Sequence, residues 1–399
     1  MKKKTDWIDA REATRLLGVS RATLYAYVSR GFVRSEPVPG KSRERRYARE
    51  DVERLLVRAE ERRNPEKAVQ HALRWGVPVL ESSITLIADG KLYYRGHDVA
   101  QLAKSRSLEE VASLVWTGQF DADIFDTPLH VIAGDGPSHD LPFISRAQSI
   151  LAIVAARDPL AFDLRPRNVA QTGWRVVNLL TSVAAESSEL APTIEQTLAH
   201  AWIPKPSALQ AKNAEALIRA ALIVSADHEL NVSAFTARCV ASASSNPYAV
   251  VIAGLSALEG AKHGGGTARI AALVTELRRA RDVRKMLTER LRRGEAIDGF
   301  GHRLYPDGDP RAALLLSMLP ASKELTFLRS FSSAASHALG EPPNLDFALV
   351  AVERVLSLPR GSALALFAIG RTIGWIAHAI EQYATNTIIR PRARYVGPR

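Results

Sequence analysis

The chain has 399 residues, of which 46% are hydrophobic, 24% charged and 7% aromatic, the balance of a folded protein of more than one domain and not of a peptide factor or a disordered or fibrous chain. Its formal charge of +11 is uneven: residues 1–66 hold 17 Lys+Arg against 11 Asp+Glu, which directs the search for an acidic partner to the N-terminal end. A single cysteine, Cys239, excludes an internal disulfide and a Cys-based zinc site, and it reads as a small buried hydrophobe.

Met1 to Asp6 is charged and is followed by no apolar stretch or cleavage site, so the expected compartment is the cytoplasm. Asp9 and Glu12 have the spacing of a helix cap and its third-position partner, and Ala13, Leu16 and Leu17 share one face, predicting a helix over 10–17. Gly18 stops it, and Ser20 caps a second helix over 21–30 with Leu24 and Val28 inward and Gly31 at its end. Two short helices around a tight glycine turn form a helix-turn-helix, whose second helix enters the major groove of double-stranded DNA. Arg21, Thr23 and Tyr27 are expected to face outward from it. Pro37 to Gly40 makes a turn, Lys41 to Tyr47 reads as a basic hairpin arm that adds Arg45 and Arg46 to the candidate DNA contacts, and a further helix starts at Arg49. Lysines and arginines on this surface would meet phosphates and make affinity salt-dependent. The order helix, turn, helix, basic wing, helix resembles the winged head of MerR-type regulators over about residues 6–58.

Residues 59–66 are charged, include Pro65 and have no apolar face, which sets a boundary near 65: a winged helix-turn-helix at 1–65 and a body at 66–399. The body opens with two β-favouring runs around Asp89-Gly90, a strong hairpin signal. Apolar faces at i, i+3, i+4 spacing then recur at 99–103, 108–116, 144–156, 216–225, 249–258, 271–279 and 364–381, predicting a mainly α body. Ala363 to Ile380 comes nearest to a membrane span, but Arg371 and His378 interrupt it, so no membrane partner is expected.

Three stretches carry polar groups that helix packing does not need. Asp227-His228-Glu229-Leu230-Asn231 is followed by His263-Gly264-Gly265-Gly266, where backbone can approach a ligand and amides can donate. Gly299-Phe300-Gly301-His302-Arg303-Leu304-Tyr305 leads into Asp309-Pro310-Arg311, and Asn344-Leu345-Asp346-Phe347 puts an acid at a helix start. No pair among His228, His263, His302 and Asp346 has the close spacing of helical zinc motifs, so no metal is expected.

Together with Ser82 to Asp98, the run Gly370-Arg371-Thr372-Ile373-Gly374-Trp375-Ile376-Ala377-His378 and the tail Arg390 to Pro398, these stretches are similar, in order, to citrate synthase over about residues 80–399. The resemblance implies a two-domain helical fold, with a large domain at 66–265 and 361–399 and a small domain at about 266–360 that closes over it. It also implies an acyltransferase that condenses acetyl-CoA, as co-substrate, with oxaloacetate and has no bound cofactor. By resemblance, Asp346 takes the proton from the thioester methyl, His263 donates to the enol oxygen and His302 donates to the ketone oxygen of oxaloacetate. Arg311, Arg371 and Arg390 match arginines that hold the two carboxylates, the last from a neighbouring subunit, so a homodimer is implied. His228 and Asn231 match residues that hydrogen-bond the same substrate.

The chain departs from the family at His263-Gly264-Gly265-Gly266-Thr267-Ala268, where His-Gly-Gly-Ala-Asn-Glu is usual. It departs again over Ser332 to Pro343, which holds no Lys or Arg where the family has a basic segment for the CoA nucleotide; Arg269 and Arg303 are the cations that could compensate. Two other readings stand beside the synthase: propionyl-CoA as acyl donor, giving 2-methylcitrate, which differs by one methylene, and a transcription regulator whose body senses oxaloacetate, citrate or an acyl-CoA.

Overall fold

The computed structural model describes residues 7–38, 41–53, 55–56, 80–121, 125, 140–280 and 282–398, and the chain divides into two compact units, Met1–Glu81 and Ser82–Arg399. The boundary expected near 65 falls among residues 57–79, outside the described ones.

In the first unit Asp9 Oδ1 accepts the Glu12 N–H at 2.7 Å to start the Ala10–Leu17 helix. Gly18 ends it at φ 64°, a conformation that a side chain would strain. Ser20 Oγ accepts the Thr23 N–H at 3.2 Å and opens the Arg21–Ser29 helix. Strands Trp7–Asp9 and Ser35–Val38 both pair antiparallel with Lys41–Ala48, so the wing strand is the centre of a three-stranded sheet. Ile8, Ala13, Leu24, Val33, Tyr47 and Val52 close the core of this unit.

Two of the expected outward residues are placed otherwise. Tyr27 is half-buried against this core and meets the Phe32 ring edge-on at 6.4 Å, because it lies one helical turn from buried Leu24 and shares its face. The tyrosine that faces solvent is Tyr25, 52% exposed. Thr23 is half-buried, with its hydroxyl 3.0 Å from that of the cap Ser20. Arg21 is exposed as expected. On the wing, Arg45 donates to Ser35 Oγ at 3.0 Å, and Arg46 donates to Glu36 at 2.6 Å and lies over the Trp7 ring.

The second unit opens with the hairpin Thr85–Ala88 and Lys91–Tyr94, turned by Asp89 (φ 51°) and Gly90 (φ 70°), and His97–Asp98 adds a short third strand. Positive φ at both central residues is the turn that Asp-Gly favours. Among the described residues everything after it is helical or loop apart from an isolated antiparallel bridge between Phe300 and Pro343. The Ser362–Thr385 helix is apolar on nearly every side and is the central element, packed by Pro166–Ala185, Ala208–Ser225, Val232–Ser242 and Pro247–Leu258. By length and composition it could cross a membrane, but 94% of its apolar window is buried inside the protein, so it is read as a core helix. Leu345–Val355 gathers Gly266–Arg278, Pro310–Met318 and Lys323–Leu339 around itself, and it also touches the central helix.

Candidate active site

The first site turn is built where the Ala208–Ser225 helix ends against the central helix. Gly374 permits the approach: a Cβ there would collide with the Ala226 carbonyl and the Asp227 carboxylate, and its N–H donates to Ala226 O at 2.9 Å. Arg371, 1% exposed, donates from Nε to Ser225 O at 2.7 Å. The fully buried Asp227 accepts the Thr85 hydroxyl at 2.6 Å and the Glu229 N–H at 3.1 Å, with His378 Nε2 3.2 Å from its other oxygen. Burial alone would raise the pKa of Asp227, but His378, Arg371 and Thr85 outweigh it and hold it below the ordinary carboxylate range.

That turn presents His228, whose Nε2 is 3.1 Å from the hydroxyl of buried Tyr305. Burial and the charges of Arg311 and Arg371 push the pKa of His228 well down, and burial pushes Tyr305 up to about 12. Both groups are therefore neutral, and the imidazole tautomer decides which of them donates. The His228 and His302 rings meet edge-on at 5.0 Å, Tyr305 lies 5.0 Å from His302, and Arg311 sits over the Tyr305 ring at 5.4 Å. His302 Nδ1 accepts the Leu304 N–H at 3.2 Å, so the proton of its neutral ring is on Nε2. Burial, then Arg311, brings the pKa of His302 down to about 4; burial, then Arg371, does the same for His263. His263 Nε2 and Asn231 Oδ1 each lie 2.8 Å from Ser233 Oγ.

Arg311 is 5% exposed and grips Asp309 with two hydrogen bonds, 2.9 and 2.8 Å. Burial works against both charges, yet their pairing more than offsets it, leaving Asp309 below and Arg311 above their ordinary values. Asp309 Oδ2 also accepts the Leu345 N–H at 3.1 Å, so one carboxylate holds both the arginine and the first residue of the helix that carries Asp346. Asn344 caps that helix at the Asp346 and Phe347 amides (3.1 and 3.3 Å) and donates to Gly301 O at 3.2 Å, tying it to the His302 loop. Burial raises the Asp346 carboxyl to about 6 against the opposing pull of Arg311 and Arg371. A Cβ at Gly266 would lie 3.8 Å from Asp346 Oδ2, and the Gly266 N–H donates to His263 O at 2.9 Å, which brings the His263 turn beside the carboxylate.

His228, His263, His302, Arg311, Asp346 and Arg371 are thus linked by contacts or by mutual electrostatic influence. Of the other two expected residues, Asn231 is tied to this cluster through His228 O and Ser233, and Arg390 is not. The Asn231 amide is occupied as a helix cap, accepting from the Ser233 and Ala234 amides and donating to His228 O at 3.3 Å. Arg390 lies in the exposed tail and makes no hydrogen bond or ion pair with these groups among the described residues. Arg269 is tied to Asp298 (2.7 and 3.0 Å) and to Ala261 O (2.6 Å). Sequence reasoning gives no role to Tyr305, Ser233, Asp309 or Asp227. Tyr305, Asp309 and Asp227 lie inside the polar stretches, but His228, which meets Tyr305, and the Leu345 amide, which Asp309 accepts besides Arg311, are far along the chain. Among the described residues no group of three or more His, Cys, Asp or Glu is placed to hold a metal ion.

The sequence profile described as "Citrate synthase, C-terminal domain" matches residues 47–124 and 148–392, and one described as "Helix-turn-helix domain" matches 7–58. Citrate synthase 2 of Bacillus subtilis is 30% identical over 361 residues, covering 81% of this chain and 95% of that protein. A 2-methylcitrate synthase of Shewanella oneidensis is also 30% identical, over 78% of this chain and 90% of its own length. The crystal structure of citrate synthase from Thermotoga maritima superposes with a TM-score of 0.67 at 27% identity, over 81% of this chain and 94% of that one.

Proposed function

From the premise that this chain belongs to the citrate synthase family, as an acyltransferase with a helix-turn-helix domain at its N-terminus, we propose that it condenses acetyl-CoA with oxaloacetate to give citrate and CoA. Asp346 takes a proton from the thioester methyl while His263 donates to the oxygen that becomes the enol. Ser233, whose hydroxyl lies 2.8 Å from His263 Nε2, holds the orientation of that imidazole. The enol carbon attacks the ketone carbon of oxaloacetate, and His302 Nε2–H meets the oxygen as its charge develops. Arg311 and Arg371 hold the substrate carboxylates, and His228, oriented by Tyr305, adds a hydrogen bond. Arg390 serves the neighbouring site of a homodimer, and the small domain closes over the large one to exclude water until the thioester is hydrolysed.

One observation supports this above the others: a carboxyl raised to about 6 by burial stands in the same cluster as two imidazoles lowered to about 4. A base with an elevated pKa beside neutral donors is what proton abstraction next to a carbonyl requires. The test is thiol release from acetyl-CoA with and without oxaloacetate, by the full chain and by Asp346→Asn. Oxaloacetate-dependent release that the substitution abolishes is expected. No release from a folded protein that binds oxaloacetate would favour a ligand-sensing regulator.

For the N-terminal unit we propose duplex DNA as the partner, in a cytoplasmic protein. Arg11, Arg15, Arg21 and Arg30 are exposed and carry no ion pair among the described residues, whereas Arg34 and Arg46 are engaged by Asp51 and Glu36. Binding that weakens steeply with salt, and whose salt slope falls by about one on Arg21→Ala, is the expected result. Insensitivity to both would make this unit a protein-binding module.

A further inference from the structure

The positive surplus of this chain sits in two places. Residues 1–66 carry a net +6, and residues 278–293 hold eight Lys+Arg against Asp282 and Glu289, a second net +6. With a total of +11, everything else in the chain comes to −1. The body therefore has a basic surface of its own, and no residue of the acyl-transfer cluster belongs to it.

This run ends the Gly266–Arg278 helix and forms the Val283–Arg292 helix. Val283, Met286, Leu287 and Leu291 pack onto the hydrophobic core, which leaves the opposite face of the second helix to solvent. Three of the cations are engaged by acids: Arg278 by Glu324 at 3.4 Å, Arg290 by Glu276 and by Glu295 at 2.9 Å, and Arg293 by Glu295 at 2.5 Å. Arg279, Arg284, Lys285 and Arg292 are exposed, and their side chains make no ion pair or hydrogen bond among the described residues. The two acids of the run do not neutralise them. Asp282 caps the helix by accepting the Lys285 N–H at 3.0 Å, and the exposed Glu289 acts on Arg293. Positions 284, 288 and 292 form one line along the helix. Arg284 and Arg292 are thus about 12 Å apart along the axis at 1.5 Å per residue, with Thr288 between them, its hydroxyl turned back to Arg284 O at 2.9 Å.

The chemistry of this face selects a phosphate polymer. Seven of the eight cations are arginine, whose planar guanidinium matches phosphate oxygens. One DNA strand offers a charge about every 3.4 Å of helix axis, so a row of this length meets about three successive phosphates. A lipid surface fits less well, because the apolar side of the helix is already packed on the core and no large hydrophobic side chain is exposed among the described residues of the run. We propose that Arg279, Arg284, Lys285 and Arg292 form a second contact with duplex DNA, on the body of the protein, which grips the backbone without reading its sequence; this rests on duplex DNA as the partner of the N-terminal unit.

The experiment follows binding of the full chain to a long duplex of mixed sequence by fluorescence anisotropy between about 50 and 200 mM salt. Wild type is compared with Arg21→Ala, with the set Arg279→Ala, Arg284→Ala, Lys285→Ala and Arg292→Ala, and with the charge-keeping set Arg279→Lys, Arg284→Lys and Arg292→Lys. At about 0.9 per phosphate contact, the slope of log K against log salt should fall by about 3 to 4 per protomer in the alanine set, and by about one more when Arg21→Ala is added. The lysine set should keep the wild-type slope. An alanine set with the wild-type slope, while Arg21→Ala still lowers it, overturns the proposal and leaves the DNA reading of the N-terminal unit standing. An equal fall in the lysine set overturns it too, since charge would not be the cause. If the alanine set instead raises KM for acetyl-CoA at an unchanged DNA slope, these cations serve the CoA phosphates and the proposal fails. No binding of duplex by wild type at any salt removes both readings.

Discussion

Asp346→Asn should make the protein inactive and more stable. The carboxyl is raised from its ordinary 3.8 to about 6, chiefly by burial, so its ionised form weakens the fold by about 3 kcal/mol at neutral pH. Below 3.8 the group is protonated folded or unfolded and the penalty vanishes; above 6 it is ionised in both states and the penalty is complete. Asparagine is nearly isosteric and never ionises. It loses the favourable place of a negative charge in the first turn of Leu345–Val355, about 0.5 kcal/mol, leaving a net gain of about 2 kcal/mol at pH 8. Urea unfolding followed by tryptophan fluorescence at pH 8 and pH 4.5 measures this, with thiol release run in parallel. The midpoint should rise at pH 8 and the gain should shrink to about 1 kcal/mol at pH 4.5, inside the window between 3.8 and 6, while the rate falls by a factor of about 10² to 10⁴. A variant no more stable than wild type at pH 8, or a gain independent of pH, would refute the claim that desolvation sets this carboxyl.

The same group predicts the acid limb of activity. Because the base must be ionised and the two imidazoles neutral, kcat/KM should fall about tenfold per pH unit below about 6, with no break assignable to His263 or His302 until about 4. Tyr305→Phe keeps the ring under Arg311 but removes the hydroxyl on His228, so KM for oxaloacetate should rise about fivefold with a smaller change in kcat, as steady-state kinetics would report. Asp309→Ala leaves Arg311 buried without its counter-charge and frees the Leu345 amide, a loss of about 3–5 kcal/mol that thermal unfolding should register. In the N-terminal unit, Tyr27→Ala should destabilise the fold whereas Tyr25→Ala should not, since only the former packs on its core.

Much of this protein is written in short-range pattern. Asp9, Ser20 and Asn344 cap the helices that follow them, Asp89-Gly90 turns a hairpin, and apolar periodicity locates the Ala208–Ser225, Pro247–Leu258 and Ser362–Thr385 helices to within a few residues at their C-terminal ends. Caps and periodicity act over three or four residues, so the chain alone determines them. The residue types of the site are legible for the same reason, as polar runs that interrupt apolar faces. Helices such as Pro166–Ala185 and Lys323–Leu339 are less legible, because Asn178, Thr181 and a run of serines dilute their periodicity.

Tertiary packing decided the rest. Tyr27 turned inward because it shares a face with Leu24, and the Trp7–Asp9 strand exists because the wing lies beside it. The bond from the Leu345 amide to Asp309 spans 36 residues, and that between His228 and Tyr305 spans 77, separations at which no local pattern can register a partner. The pKa values of Asp346, His263 and His302 follow from burial, which exists only once the helices have closed around them.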